Sequence, residues 1–351
     1  MRSVELQPKR NKYLDIVKFF AIFCVLWGHV VQQTCLLVNP NDDYIFRFIY
    51  TFHMPLFMGI CGYFFAKSLR KYGRKYYIDN KLKTRLLGLI IPMLSFGILK
   101  ICISGKFDLL HYLEAAHGVW FLGDLAINTV MILVISKWCS GSFSHDAKCF
   151  LLGIPFVSIP KIGYGAQGLF MYLFFVGGYW LAVYYKKSFS TSIRYWKLVL
   201  MIFILSFVVF GIIPYEPSAF TFDINKYDFV GIVLIDVLKI IMGISGCFLI
   251  LMIIYKIMPC LKGTSLECYA IEQGQYTLDI YLLNIIILEK ICGPLYRNIV
   301  KYYQFNILHS YGILFEFIST LIVTCLIMII ITTVGKIMNK NHYIAKIFFY
   351  R

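Results

Sequence analysis

Charge is what this chain has least of. Asp, Glu, Lys and Arg make up 15% of it, and acid is rarer than base, 18 residues against 34. A soluble globular domain carries about a quarter of its residues as charge. With 60% hydrophobic residues and a mean hydropathy of +0.73, this chain has too little polar surface to cover a water-exposed fold. The eleven cysteines include no CxxC pair and no Cys/His spacing of a metal site. That argues against a disulfide framework and a zinc site, and the expectation is no bound metal. Internal repeats, low-complexity tracts and Gly/Ser linkers are also missing, so one domain is expected over residues 1–351, its core at about 13–335 between short tails. No small-residue cleavage site follows the first apolar run, so that run is expected to stay.

What is present is a series of long apolar blocks, and they predict an all-α polytopic membrane bundle of about ten transmembrane helices. The spans are expected at about 13–33, 45–66, 86–103, 119–136, 148–160, 167–185, 198–214, 229–255, 277–292 and 312–335. The fifth is short and holds Pro155 and Pro160, which suits a tilted or re-entrant segment. With the N-terminus cytoplasmic, 24 of the 34 basic residues fall on the inner side, 6 on the outer side and 4 within spans. The positive-inside rule then places both termini in the cytoplasm. The net charge of +16 is explained by membrane anchoring, with no nucleic-acid partner expected. The largest outer pieces are 215–228 and 293–311, whose aromatics suit the membrane interface.

The first block, Lys12 to Gln33, carries Asp15, Lys18 and His29 inside an apolar run. Lys18 and His29 are eleven positions apart, so they share a helix face about 16 Å apart along the axis. Such a stripe must face protein or water, because lipid makes each group costly. His53 comes to a similar depth on the antiparallel second span. Two imidazoles at one depth point to function, since histidine titrates near neutrality and suits lipid poorly. Asp124, Asp236, Glu289 and Glu316 also fall in outer halves of spans, and Asp279 near the inner face. For these a structural role fits as well. Asp15–Lys18 and Asp236–Lys239 have i,i+3 ion-pair spacing, and Lys100, Glu289, Lys290 and Glu316 sit where side chains snorkel. The dense inner loop from Lys67 to Arg85 fits lipid anchoring. A helix starting just after Arg85, flanked by Lys81, Lys83 and Arg85, would equally hold phosphates of a cytoplasmic donor.

Several runs together resemble the acyltransferase-3 family of polytopic membrane acyltransferases. LDIVKFFAIFCVLWGHV is similar to its first-helix signature, a basic residue and a histidine, here Lys18 and His29. FHMPLFMGICGYFFAKSL resembles its second-helix signature, from Phe52 and His53 through Pro55 to Gly62. KTRLLGLIIP, HGVWFLGDL, YLFFVGGYWL and GQYTLDIYLLN follow in the family's order. Lys18 stands where Arg is common, and Asn284 where a late His often stands. Lys81, Lys83 and Arg85 only approximate the family's inner double arginine.

The resemblance implies an O-acetyltransferase of the bacterial cytoplasmic membrane that modifies polysaccharide. It would hold no resident cofactor and use acetyl-CoA or another acyl-CoA as co-substrate. The acceptor would be a hydroxyl on a surface glycan or lipid-linked sugar. Lys81, Lys83 and Arg85 would meet the donor's phosphates, and its arm would pass Asp15 and Lys18. His29 would act as general base, by direct transfer or through an acyl-histidine. His53 and Asn284 would donate to the oxyanion, and Trp120 and Asp124 would bind the acceptor. The rival reading is a proton-coupled transporter or flippase, which ten spans and buried charges also suit.

Overall fold

The computed structural model describes residues 11–34, 40–105, 107–109, 111–112, 118–157, 165–185, 193–210, 219–221, 228–303 and 312–351. The tail to Arg10, most of the connection 215–228 and residues 304–311 lie outside the described residues. Those described are helical, with no strand among them. In chain order the main helices are α1 (Lys12–Thr34), α2 (Tyr44–Tyr50), α3 (His53–Tyr72), α4 (Lys83–Ser104), α5 (Trp120–Ile135), α6 (Phe143–Leu151) and α7 (Ala166–Tyr184). They continue with α8 (Trp196–Phe210), α9 (Phe229–Leu261), α10 (Ser265–Gln273), α11 (Thr277–Ile286), α12 (Gly293–Tyr303), α13 (Ile313–Lys340) and α14 (His342–Phe349). A π-helical segment, Ile287–Cys292, joins α11 to α12. Among the described residues, six helical stretches are long and apolar enough to cross a membrane: Lys12–Thr34, Tyr44–Tyr72, Arg74–Ser104, Ala166–Tyr184, Phe229–Leu261 and Ile313–Lys340. Trp120–Ile135 is apolar but shorter.

The first apolar block becomes the central rod. Val17, Ala21, Leu26, Val30 and Val31 of α1 are wholly buried, because neighbours cover it on all sides. Tyr13 donates its hydroxyl to the Leu251 carbonyl of α9 at 2.8 Å. Phe19 meets Tyr269 of α10 edge-on, Phe20 stacks on Phe52, and the Trp27 indole donates to Thr320 Oγ1 of α13 at 3.0 Å. Burial in protein suits a helix whose apolar run is crossed by charged groups that lipid would not accept.

Where α3 meets α7, backbone touches backbone. A Cβ at Gly62 would fall on the Phe175 carbonyl, and one at Gly178 on the Gly59 carbonyl. Close approach through small residues is how helices associate where no hydrophobic effect separates protein from lipid. The two helices run in the same direction: Thr51 and Phe174 both meet Gly243, while near the other end Arg70 reaches the Ala182 carbonyl. Helix α5 runs the same way, with Phe57 against Phe121 and Arg74 on the Leu133 carbonyl. Helix α6 runs against α7, since Phe143 packs on Tyr184 and Phe150 on Tyr179.

Two elements differ from expectation. The block expected to span at 148–160 is broken: α6 ends at Leu151, Leu152 and Gly153 form a turn, and a short helix covers Ile154–Val157. Gly153 lets the Tyr172 ring lie against the break, and the Phe150 carbonyl accepts both from the Gly153 amide at 3.1 Å and from the Tyr172 hydroxyl at 2.7 Å. Residues 158–160 lie outside the described residues. The third span also has no helix start at Arg85. Helix runs unbroken from Arg74 to Ser104, through a π segment at Ile78–Leu82, and the true break is Gly73 at φ +76. The amides near Arg85 are therefore spent inside the helix and offer no N-terminal anion site.

Both i,i+3 charge pairs turn out to be ion pairs. Lys18 Nζ lies 2.6 Å from Asp15 Oδ1. Lys239, 1% exposed, is 3.5 Å from Asp236. Its ammonium also donates to the Ala219 carbonyl and Thr221 Oγ1, both at 2.7 Å. A buried ammonium is tolerated only with such a set of acceptors. Asp279 accepts from Asn339 at 2.6 Å and from Arg351 at 3.0 Å, tying α11, α13 and the segment after α14 together.

Candidate functional site

A cavity of about 230 Å³ opens where the last turn of α1 meets the starts of α3, α5 and α7. His29 and Gln32 come from α1, Tyr50 from α2, His53 from the first turn of α3, Trp120 from the first turn of α5, Gln167 from that of α7 and Tyr281 from α11. Asn41, in the connection before α2, closes one side. The polar part of the lining is imidazole, amide and tyrosine hydroxyl, set among aromatic and aliphatic side chains that include Val25, Met54 and Ile285, and the described lining residues include no carboxylate or ammonium. Amide and hydroxyl groups over an aromatic floor match a neutral polyhydroxylated ligand better than an ionic one.

The break between α2 and α3 sets His53. Pro55 has no amide to give and sits in the first turn of α3, where none is needed. The Ile49 carbonyl at the end of α2 accepts from the Phe52 amide at 3.4 Å and from the His53 ring, Nδ1 to oxygen, at 2.7 Å. A carbonyl only accepts, so Nδ1 carries the proton and Nε2 of the neutral ring is a bare acceptor. His53 therefore donates to an oxyanion from Nε2 only as an imidazolium. The Tyr50 ring stands edge-on to it, centroids 4.5 Å apart. Tyr50 reaches this place because residue 28 is glycine: a Cβ there would come within 2.7 Å of the Tyr50 ring.

His29 faces a second set of groups. Its Nδ1 lies 3.6 Å from Glu289 Oε1, and the other Glu289 oxygen is 3.8 Å from Lys100 Nζ of α4. Gln32, one turn on, is within hydrogen-bonding reach of the ring. Glu289 belongs to the π-helical segment, a form that recurs at functional sites.

Three of the residues singled out in the sequence, His29, His53 and Trp120, thus converge on one cavity. The others do not line it. Asp124 and Asn284 are fully buried, and neither side chain finds a hydrogen-bond partner among the described residues. Asp15 and Lys18 pair with one another. Lys81 lies over the Tyr72 ring, Lys83 is exposed, and only Arg85 turns inward, over Phe65. A second cavity, about 340 Å³, lies at the Lys12 end of the bundle between α10, α11 and α13, lined by Gln273, Tyr276, Asp279 and Lys336 among others. Gln32, Asn41, Tyr50, Gln167 and Tyr281 carried no signal of their own. Gln32 alone was open to inference, one turn after His29 on the same face.

The acyltransferase-3 family's sequence model, described as an acyltransferase domain, matches residues 11–334. Nodulation protein NolL of Sinorhizobium fredii (strain NBRC 101917 / NGR234) is 26% identical over 214 residues, which is 54% of this chain and 54% of that protein. The chain thus spans about half the length of that curated relative. No solved structure matches it significantly. Because the family match runs through nearly the whole bundle and takes in every residue of the His29–His53 cavity, this chain belongs to the acyltransferase-3 family.

Proposed function

We propose that this protein is an O-acyltransferase that moves an acyl group, acetyl in the first instance, from acyl-CoA to a hydroxyl of a surface glycan or lipid-linked sugar. The observation that carries the reading is the pairing of two imidazoles in one cavity that also holds three side-chain amides and an aromatic wall. The protein then crosses a bacterial cytoplasmic membrane about ten times with both termini inside. The cavity faces outward, and the donor enters from the Lys12 end. Lys81, Lys83 and Arg85 receive its phosphates at that surface, and its arm passes the Asp15–Lys18 pair. Asp124 and Asn284 offer buried polar groups to whatever crosses the core.

In the reaction His29 takes the proton of the acceptor hydroxyl as that oxygen bonds to the thioester carbonyl carbon. The tetrahedral intermediate collapses, the C–S bond breaks, and the departing thiolate recovers the proton from the His29 imidazolium. A positioned base of this kind contributes about 10²–10⁴ in rate. His53, with Nδ1 committed to Ile49, accepts from a second sugar hydroxyl at Nε2 and so orients the acceptor. Trp120 gives the sugar a flat face to lie on.

The test uses purified full-length protein in lipid nanodiscs with acetyl-CoA, with and without candidate sugars, reading free thiol. Mass analysis of surface glycan from cells with and without the protein reads the product. His29→Ala should lose thiol release by at least about 100-fold while the protein still inserts. Full turnover by that variant, or solute movement without thioester cleavage as a transporter would give, overturns the proposal.

A further inference from the structure

We infer that Glu289, held by Lys100, is a positioning residue that fixes the His29 imidazole for proton transfer; this rests on the acyl-transfer reading above. Three separate elements bring the groups together: α1 supplies His29, the π segment Glu289, and α4 Lys100. The contacts are 3.6 Å from His29 Nδ1 to Glu289 Oε1 and 3.8 Å from Lys100 Nζ to Glu289 Oε2. Glu289 is half-buried, but the ammonium it meets is drawn into the bundle. Snorkelling accounts for a charge that reaches water, yet Lys100 is buried, 8% exposed, and turned toward Glu289.

The geometry has a chemical consequence. A carboxylate beside Nδ1 favours the tautomer with its proton on Nδ1, leaving the Nε2 lone pair for the acceptor hydroxyl. It also stabilises the imidazolium that forms as the proton is taken, which is the role of the third group in a nucleophile–base–carboxylate triad. The 3.6 Å separation is one that tightens to a hydrogen bond once substrate excludes water, as catalytic contacts often do. Lys100 holds the other Glu289 oxygen at 3.8 Å and so fixes which oxygen faces His29. The charged and titratable groups facing His29 are Glu289, Lys100 and, from α3, His53. Tyr50 of α2 faces Glu289, and Lys290 faces Lys100.

The test has two readouts on the full chain in nanodiscs. Histidine labelled with ¹⁵N reports the titration of His29, its signal assigned by loss in His29→Gln. Thiol release from acetyl-CoA reports the reaction. Glu289→Gln keeps the shape and removes the charge. It should lower the His29 titration midpoint by about one pH unit and slow thiol release by roughly 100-fold or more, and Glu289→Asp should recover part of both. The double variant Glu289→Gln/Lys100→Met should be no slower than Glu289→Gln alone, because Lys100 acts only through Glu289. An unmoved midpoint in an active enzyme, or losses that multiply in the double variant, overturns the inference. A moved midpoint in a protein that cleaves no thioester overturns the acyl-transfer reading and leaves the Glu289–His29 coupling standing.

Discussion

Replacing one glycine at the α3–α7 crossing should damage both the bundle and the cavity, while replacing its neighbour should do neither. At Gly62 an added Cβ would land on the Phe175 carbonyl oxygen and lie 2.9 Å from its carbon. Carbon atoms rest at about 3.5–4.0 Å, so the helices must part by roughly half an ångström or more. At Gly178 the clash is with the Gly59 backbone, 2.6 Å to its carbonyl carbon. Neither obstacle is a flexible side chain. Overpacking of this kind costs about 1–3 kcal/mol. Gly177, next along the same helix, would meet nothing within 4 Å, and alanine there should be neutral or add up to about 1 kcal/mol of helix propensity. The consequence reaches the site because α3 carries His53 and α7 carries Gln167, both lining the cavity. A misplacement near 1 Å can cost about 10²-fold in rate, so Gly62→Ala and Gly178→Ala should lose acyl transfer beyond what lost folded protein explains. The assay is retention of the folded peak on size exclusion after a heating series, with thiol release measured on the surviving fraction. If Gly62→Ala, Gly178→Ala and Gly177→Ala all melt together with wild-type activity, the backbone-contact argument fails.

Trp27 and Thr320 offer a second test: Thr320→Val leaves the buried indole N–H with no acceptor and should destabilise by about 1–3 kcal/mol, more than Trp27→Phe loses through the hydrogen bond alone, and equal melting shifts in the two would refute this. Asp43 caps α2 through the Phe46 amide at 2.8 Å. Burial, and the Glu316 carboxyl it hydrogen-bonds, push its pKa up to about 7. The folded state then binds more protons than the unfolded state between about pH 4 and 7, so stability should fall as pH rises through that window and level off above it. Asp43→Asn keeps an acceptor for the cap and should flatten the profile, as thermal melts across pH 4–8 would reveal.

The run from Lys12 to Gln33 determined by itself that a membrane-length helix exists and that its charged stripe turns to protein or water and away from lipid, and that stripe marked His29. The matched depths of His29 and His53 were also readable, since a short connection forces their spans to run antiparallel. Local pattern carries that much because helical period and apolar length are properties of neighbouring residues. Only the tertiary structure decided that Asn41 and Gln167 share a cavity with those imidazoles, for they come from elements other than α1 and α3. It also showed Glu289 and Lys100 facing His29, although each alone looks like a charge near a span end. Likewise Gly73, not Arg85, marks where the third apolar block starts as helix, because a continuous π turn spends the amides near Arg85, and Gly153 sits at a break where the Tyr172 ring packs against it. Which side chain satisfies an orphaned group depends on what another helix places beside it, and no local pattern encodes that.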